Sequence, residues 1–332
     1  MEEAKMPKTN WLKRLMSGYG IVLIVLIVII LALWISTDTF ITYDNIYNLL
    51  RSSAVNGIVA LAMTFVIATG GIGLAVGTNV GLSGMIVALL TAEAGMNMWL
   101  AMIIGLVACG AIGLLTGVLI HDGKLPPFIA TMGIMTITRG AIMLISNARM
   151  ISGLPEEFTD IGQITLGIPV TDAEGATTTY GLPLMALIWI VFIVICFLII
   201  KYTRFGRNVF AIGSNEEAAR LSGINVRTNI YGTYVWSALL CALGGILLTA
   251  RMANGIPGLG DGYEMDAIAA AVVGGASLSG GEGSIGGTVV GTLLIAIIRN
   301  GGTLLGWNAQ LLEIIVGALI IVAVLLDKVR KK

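Results

Sequence analysis

The stretch LMALIWIVFIVICFLII, Leu184–Ile200, runs without a single charged side chain. A run of this length and apolarity suits the hydrocarbon core of a bilayer, which takes about 20 mostly apolar residues per helix. In lipid the backbone has no water to bond, so such a run must satisfy itself as a helix. It belongs to one of ten apolar windows, at 19–36, 50–69, 78–95, 98–120, 126–146, 182–201, 230–250, 265–279, 284–300 and 309–327. The third and eighth are rich in glycine and border glycine-rich turns. Of the 332 residues 57% are hydrophobic and 11% charged, where a soluble domain carries about a quarter charged residues. The mean hydropathy is +0.94. The expected class is an all-α polytopic membrane protein of about ten transmembrane helices. One membrane domain, 19–327, lies between tails 1–18 and 328–332.

Basic residues set the orientation, because cationic loops stay in the cytoplasm. With the N-terminus inside, the inner segments hold Lys5, Lys8, Lys13, Arg14, Lys124, Lys201, Arg204, Arg207, Arg220, Arg227, Lys328, Arg330, Lys331 and Lys332, which is 14 of 19. Arg51, Arg139, Arg149, Arg251 and Arg299 remain. Ten spans put both termini in the cytoplasm. The loop 147–180, with Glu156, Glu157, Asp160, Asp172 and Glu174, falls outside, and the loop 202–229 falls inside. The basic N-terminus followed by apolar residues resembles a signal peptide. ALWISTDTF offers no small-x-small cleavage site, so an uncleaved first span is expected.

Several function classes lose ground on composition. Net charge is zero, so no nucleic-acid partner is implied. Cys109, Cys196 and Cys241 sit in apolar runs and read as packing residues. One histidine, His121, argues against a histidine metal site, and no metal is expected. GGEGSIGGT carries G-x-G-x-x-G at Gly281, Gly283 and Gly286, but it joins two apolar windows where a dinucleotide fingerprint needs a strand. The same stretch nearly matches a P-loop, with Gly287 where the phosphate-binding lysine belongs. No ATP site is apparent, and no catalytic group. The glycines read instead as close helix approach and a tight turn.

Polar residues within spans are costly and mark candidate solute paths. The path candidates are Asn56, Thr64, Asn79, Ser83, Thr136 and Arg139, with the alternative that hydroxyls and amides simply bond across helices. Arg139 lies mid-window and should pair with a carboxylate or face water. Glu93 and Asp266 lie near outer span ends. Glu313 and Gln310 open the last window, and Arg299 with Asn300 closes the ninth.

Within loop 202–229, GSNEEAARLSGI reads as a short helix. Ser214 is its expected N-cap with Glu217 three residues on, a capping box. Glu216 and Glu217 face the positive end of the helix dipole. Gly223 can close it in a left-handed conformation.

EAARLSG, Glu217–Gly223, fits the E-A-A-x-x-x-G pattern of ATP-binding-cassette importer permeases. TRFGRNVFAIGSNEEAARLSGINV (203–226), MDAIAAAVVGGASLSGGEGSIGGTVVGTLL (265–294), PPFIATMGIM (126–135) and RMISGLP (149–155) resemble the ribose-type branch, which imports monosaccharides. The resemblance implies that Ser214, Asn215, Glu216, Glu217, Ala218, Ala219, Arg220 and Gly223 couple the chain to a separate ATPase, where ATP and Mg would bind. It implies a second permease copy, identical or similar, in a bacterial inner membrane. It also implies an extracytoplasmic sugar-binding protein, with Glu156, Glu157, Asp160, Asp261 and Glu264 as docking candidates. One departure stands out. The family reads G-G-I-D-L-S-V-G where Gly70–Gly77 reads GGIGLAVG, so Gly73 replaces an aspartate and Ala75 a serine. The competing class is an ion-coupled secondary transporter. Glycine-interrupted spans suit it, and the lack of mid-span carboxylates argues against it. An intramembrane enzyme would need a nucleophile–base pair or metal cluster that this chain does not supply.

Overall fold

The structure, a computed structural model, describes residues 20–171 and 177–330. The tail 1–18, Asp172, Glu174, Lys331 and Lys332 lie outside the described residues. Helices dominate: α1 (Gly20–Ser36), α2 (Tyr43–Ala68), α3 (Val76–Ala88), α4 (Met98–His121), α5 (Pro127–Ile145), α6 (Glu156–Asp160), α7 (Leu184–Tyr202), α8 (Arg204–Ser214), α9 (Glu216–Leu221), α10 (Val226–Met252), α11 (Tyr263–Val273), α12 (Ile285–Leu304) and α13 (Ala309–Arg330). One π turn, Leu89–Glu93, extends α3. The loop between α6 and α7 departs from an all-α fold, because β1 (Thr165–Thr171) and β2 (Thr177–Pro183) pair there as an antiparallel hairpin with Thr165 opposite Pro183.

Each apolar window has a helix, yet seven described helices are long and apolar enough to cross a membrane: α2, α3 with its π turn, α4, α5, α7, α10 and α12. The apolar parts of α1 and α13, Val22–Ser36 and Ala309–Leu325, are shorter. The window 265–279 needs the clearest correction. Its helix α11 has 11 residues, about 16 Å at 1.5 Å per residue, roughly half of a bilayer core. The backbone leaves the helix at Gly274, and Gly275, Gly280 and Gly281 all take positive φ. Residues 274–284 are turns and loop, and Gly281 donates its N–H to the Ala68 carbonyl at the end of α2.

The bundle has two distinct ends. The hairpin end carries α6 and the strands; the short-helix end carries α8 and α9. Helix α2 lies at the centre, buried from Ser53 to Ala68 except at Asn56. Helix α10 packs on α2, α3 and α4, while α11 and α12 pack on α2. Small residues permit these approaches, as expected where lipid supplies no hydrophobic drive between helices. A Cβ on Gly245 of α10 would lie 2.0 Å from the Val80 carbonyl oxygen of α3, and one on Gly287 would lie 1.9 Å from that of Gly274. In GGEGSIGGT, Gly280 and Gly281 turn at positive φ and Gly287 packs closely, whereas a Cβ on Gly283 or Gly286 would meet nothing nearer than 3.6 Å. Helix α7 presents Ile190, Val191, Val194, Phe197 and Leu198 outward, a continuous apolar face suited to lipid. Cys109, Cys196 and Cys241 are free and buried.

Candidate functional site

The candidate coupling segment, 214–223, lies in an excursion of α8 and α9 at the short-helix end. Helix α8 is amphipathic; Gly206, Val209 and Ile212 are buried and Arg204 and Arg207 exposed. Thr203 caps it by accepting from the Gly206 N–H at 3.1 Å. The expected Ser214 cap is wrong by one residue. Helix α8 continues through Ser214, whose hydroxyl donates to the Phe210 carbonyl at 2.9 Å. Asn215 caps α9 instead, its Oδ1 accepting from the Ala218 N–H at 2.9 Å. With that position filled, Glu217 turns outward and pairs with Arg220 at 2.7 Å. Gly223 closes α9 at φ +82°; its N–H donates to Arg220 and that of Ile224 to Ala219, the two bonds of a left-handed helix terminator. Ala219 alone of the helix is buried. Glu216, Glu217, Ala218, Arg220 and Gly223 are exposed, and so is Leu221 at 79%. The sequence reading passed over Leu221; a leucine at the tip of a charged helix was the signal.

The path candidates separate into two kinds. Thr64 donates to Ala60 of its own helix and meets Thr288 of α12, hydroxyl to hydroxyl, at 2.7 Å. Ser83 spans α3 and α10 by donating to the Ala242 carbonyl at 2.9 Å. Thr136 is exposed and bonds the Met132 carbonyl of its own helix. These three are accounted for by helix contacts. Asn56 and Asn79 are not, since the Oδ1 of each is buried without a hydrogen-bond partner. Asn79 borders a small gap of about 20 Å³ together with Val66, Gly73, Ala75, Thr116, Thr131 and Tyr234. Both residues at which the chain departs from the family pattern, Gly73 and Ala75, line this gap. Asn79 Oδ1 and the Tyr234 hydroxyl, both at this gap, have no hydrogen-bond partner.

A family model described as "Branched-chain amino acid transport system / permease component" matches residues 45–324. The chain belongs to this permease family. The permease is 40% identical to the "Ribose import permease protein RbsC" of Bacillus subtilis (strain 168), over 93% of this chain and 91% of the relative. It is 37% identical to the "Galactose/methyl galactoside import permease protein MglC" of Salmonella typhimurium (strain LT2), over 97% and 96%. It is 33% identical to the "D-allose transport system permease protein AlsC" of Escherichia coli (strain K12), over 95% and 92%. No solved structure is significantly similar.

At the hairpin end four of the permease's arginines have partners. Arg139 has the carboxylate partner its position demanded, Asp261 at 2.6 Å. Arg149 pairs with Glu93 at 2.6 Å, Arg299 pairs with Asp266 at 2.7 Å, and Arg51 donates to the Gly162 carbonyl at 2.5 Å. Two docking candidates change character as a result. Asp261 is engaged by Arg139, and Glu264 is only 9% exposed, at the start of α11. Its carboxylate occupies the space a Cβ on Gly77 would take. Glu156, Glu157 and Asp160 remain exposed on α6, which Phe158 anchors with no exposed surface.

Asp122, where α4 ends at the short-helix end, gathers a cluster that sequence reasoning missed. It accepts from Tyr231, from His121 at 2.8 Å and from Arg227 at 2.7 Å. The Tyr231 hydrogen bond, then those of His121 and Arg227, lower its carboxyl to about 2. The cluster joins α4 to α10 beside a cleft of about 540 Å³, lined by His121, Lys124, Pro127, Glu216, Arg220 and Tyr234 among others. Its signal in the sequence was weak: the last residue of one helix and its C-cap opposite two residues in the first turns of a helix a hundred residues later.

Proposed function

We propose that this chain is the transmembrane subunit of an ATP-binding-cassette importer that carries a neutral monosaccharide inward. The observation that carries this is the identity of 33–40%, over nearly the whole chain, to import permeases named for ribose, galactoside and allose. The polar groups support it. Those left unpartnered away from the hairpin-end arginines are amides, hydroxyls and indoles, which suit polyols and offer no site for a coupling ion.

In this reading ten helical segments span or enter the bacterial inner membrane with both termini in the cytoplasm. A partner ATPase grips Asn215–Gly223, with Leu221 as the apolar tip seated in the ATPase. ATP and Mg bind in that partner. A sugar-binding protein delivers solute at the hairpin end, meeting Glu156, Glu157 and Asp160. A second permease copy completes the path. The chain itself makes and breaks no bonds; it supplies a path and a lever.

The test is uptake of labelled ribose, galactose and allose by proteoliposomes holding the permease, a candidate ATPase and a binding protein. Vanadate should abolish uptake, and ionophores should leave it unchanged. Uptake that persists without the ATPase and collapses with an ion gradient would overturn the reading.

A further inference from the structure

An open groove of about 290 Å³ lies at the short-helix end, between the end of α7, the start of α8 and the outer side of α10. Ile199, Phe205, Gly232, Val235, Trp236 and Leu239 line it. Thr203 is the other lining residue, and its hydroxyl is already engaged. It donates to the Ile199 carbonyl at 2.7 Å and accepts from the Gly206 N–H at 3.1 Å. The groove therefore offers hydrocarbon and aromatic surface. Its floor is fixed from the centre of the bundle, because Phe65 of α2 stacks on Phe205 at 6.3 Å and meets the Trp236 ring edge-on at 6.4 Å. Gly232 leaves room for that arrangement; a Cβ there would lie 3.0 Å from the Phe205 ring.

The surface on both sides of the groove is of the kind that faces lipid. On α7, Val194, Phe197 and Leu198 are exposed just before Ile199. On the other side α4 packs on α10, with Gly110 beside Leu239, and exposes Leu114 and Leu115.

Three cations stand at the rim. Lys201, Arg204 and Arg207 are all exposed. Lys201 Nζ lies 5.2 Å from the ring centres of Phe197 and Tyr202, and Arg207 donates to the Tyr202 carbonyl at 3.5 Å. Two of the three thus gather at one exposed tyrosine, a residue type favoured where a bilayer meets water. Among the described residues none of the three pairs with a carboxylate, whereas Arg220 and Arg227 at the same end do. Basic residues at span ends are ordinary. Unpaired cations beside an open apolar groove are complementary to a molecule with an anionic head and a hydrocarbon tail, and the membrane itself supplies that molecule.

We propose that this corner binds an anionic phospholipid, with its headgroup phosphate among Lys201, Arg204 and Arg207 and one acyl chain in the groove against Trp236. Bound there, the lipid bridges α7, α8 and α10, the elements from which α9 projects. The inference needs a bilayer around the bundle and no part of the transport reading.

Fluorescence quenching tests it. The full-length chain is reconstituted in vesicles of phosphatidylglycerol and phosphatidylcholine in equal parts. Bromine, which quenches tryptophan on contact, is carried on the acyl chains of one lipid or of the other. The composition is then constant and only the label moves. The chain has six tryptophans, and comparison with Trp236→Phe isolates the share of Trp236. That share should report a preference for phosphatidylglycerol of about tenfold or more. Arg204→Gln should lower the preference by about fivefold, and neutralising Lys201, Arg204 and Arg207 together should bring it near parity. The three rim residues are exposed, so their variants carry the test should Trp236→Phe fail to fold; the difference between the two labels must vanish in the triple variant. Equal quenching by the two labels in the parent, or none by either, would overturn the site. So would a difference that survives in Trp236→Phe or in the triple variant.

Discussion

Thr64 and Thr288 provide the sharpest test of structural against path residues. Their hydroxyls meet at 2.7 Å between α2 and α12, and the side chains are 0% and 1% exposed. Thr64 also reaches Ala60, and Thr288 reaches Ser284 at 3.1 Å. Two hydroxyl protons serve three acceptors, so one of these bonds always goes unmade. When Thr64→Val removes one hydroxyl, Thr288 keeps its proton and turns to Ser284; no buried donor is stranded. The full cost of an unsatisfied group, about 1–3 kcal/mol, is therefore avoided. What remains is an interhelical bond in membrane, with a mean near 0.6 and a ceiling near 1.7 kcal/mol in comparable cycles. A double-mutant cycle of Thr64→Val and Thr288→Val should give a coupling of about 0.6 kcal/mol, from reversible unfolding of the four proteins in mixed micelles. A loss that small leaves the folded population intact in a protein stable by about 5–15 kcal/mol. Ribose uptake by Thr64→Val should then stay within twofold of the parent. A tenfold loss of uptake, about 1.4 kcal/mol on the barrier, with stability unchanged, would make Thr64 a path residue and refute the argument.

Asn215→Ala should cost about 1 kcal/mol as a lost N-cap, fray α9 and speed tryptic cleavage at Arg220. Ser214→Ala, one residue away, should leave the cleavage rate unchanged. Gly223→Val forces a β-branched residue to φ +82° with open space around it, a conformational cost of about 1–2 kcal/mol. Its ATPase co-purification should fall several-fold while the membrane fold survives. Asp122 carries a carboxyl lowered from 3.8 to about 2 in the folded state. Its contribution is complete above the ordinary value and lost as pH falls through 2. Unfolding midpoints should therefore drop more steeply between pH 4 and 2 in the parent than in Asp122→Asn. Reversing Glu156, Glu157 and Asp160 to lysine should weaken binding-protein docking at low salt and matter less as salt screens the contact.

The bilayer made most of the fold legible. Long apolar windows have few alternatives in lipid, so helices appear wherever the windows lay. α11 was not legible in its length, because AIAAAVV is as apolar as any span; what stops it is the backbone freedom of Gly274 and Gly275, and sequence alone does not say which glycines turn. The Ser214 error has a similar origin. Ser214 and Asn215 are both good caps, and the choice falls to how far the preceding amphipathic helix runs, which is set by Val209 and Ile212 packing inward. For Arg139 the cost of an unpaired charge foretold a carboxylate, but its partner Asp261 lies 122 residues on and only the fold could select it. Tyr234 was missed outright. A tyrosine inside an apolar helix gives no sign that it lines both a cleft and a small gap.

The distribution of charge also bears on the solute. The family description names branched-chain amino acids, which are zwitterions, whereas the similar permeases are named for sugars. Arg51, Arg139, Arg149 and Arg299 gather at the hairpin end on carbonyl or carboxylate partners. Asp122, Arg227 and the α9 charges gather at the other. Between these groups Asn56 Oδ1, Asn79 Oδ1, Thr138 Oγ1, Thr249 Oγ1 and the Tyr234 hydroxyl stand without partners, and every one is neutral. A carboxylate crossing that region meets no countercharge, and the carboxylate buried beside it, Glu264 against Gly77, repels it, at a cost of about 2.5 kcal/mol or more. That cost corresponds to roughly seventyfold in rate. Proteoliposomes holding the permease and its ATPase, preloaded with labelled ribose and labelled leucine, should release ribose faster than leucine by about that factor. The measurement leaves out the binding protein, so it reads the selectivity of the path alone. Equal release of the two solutes would mean that the path carries a charge-pairing group supplied from outside this chain, and the neutral-solute argument would fall.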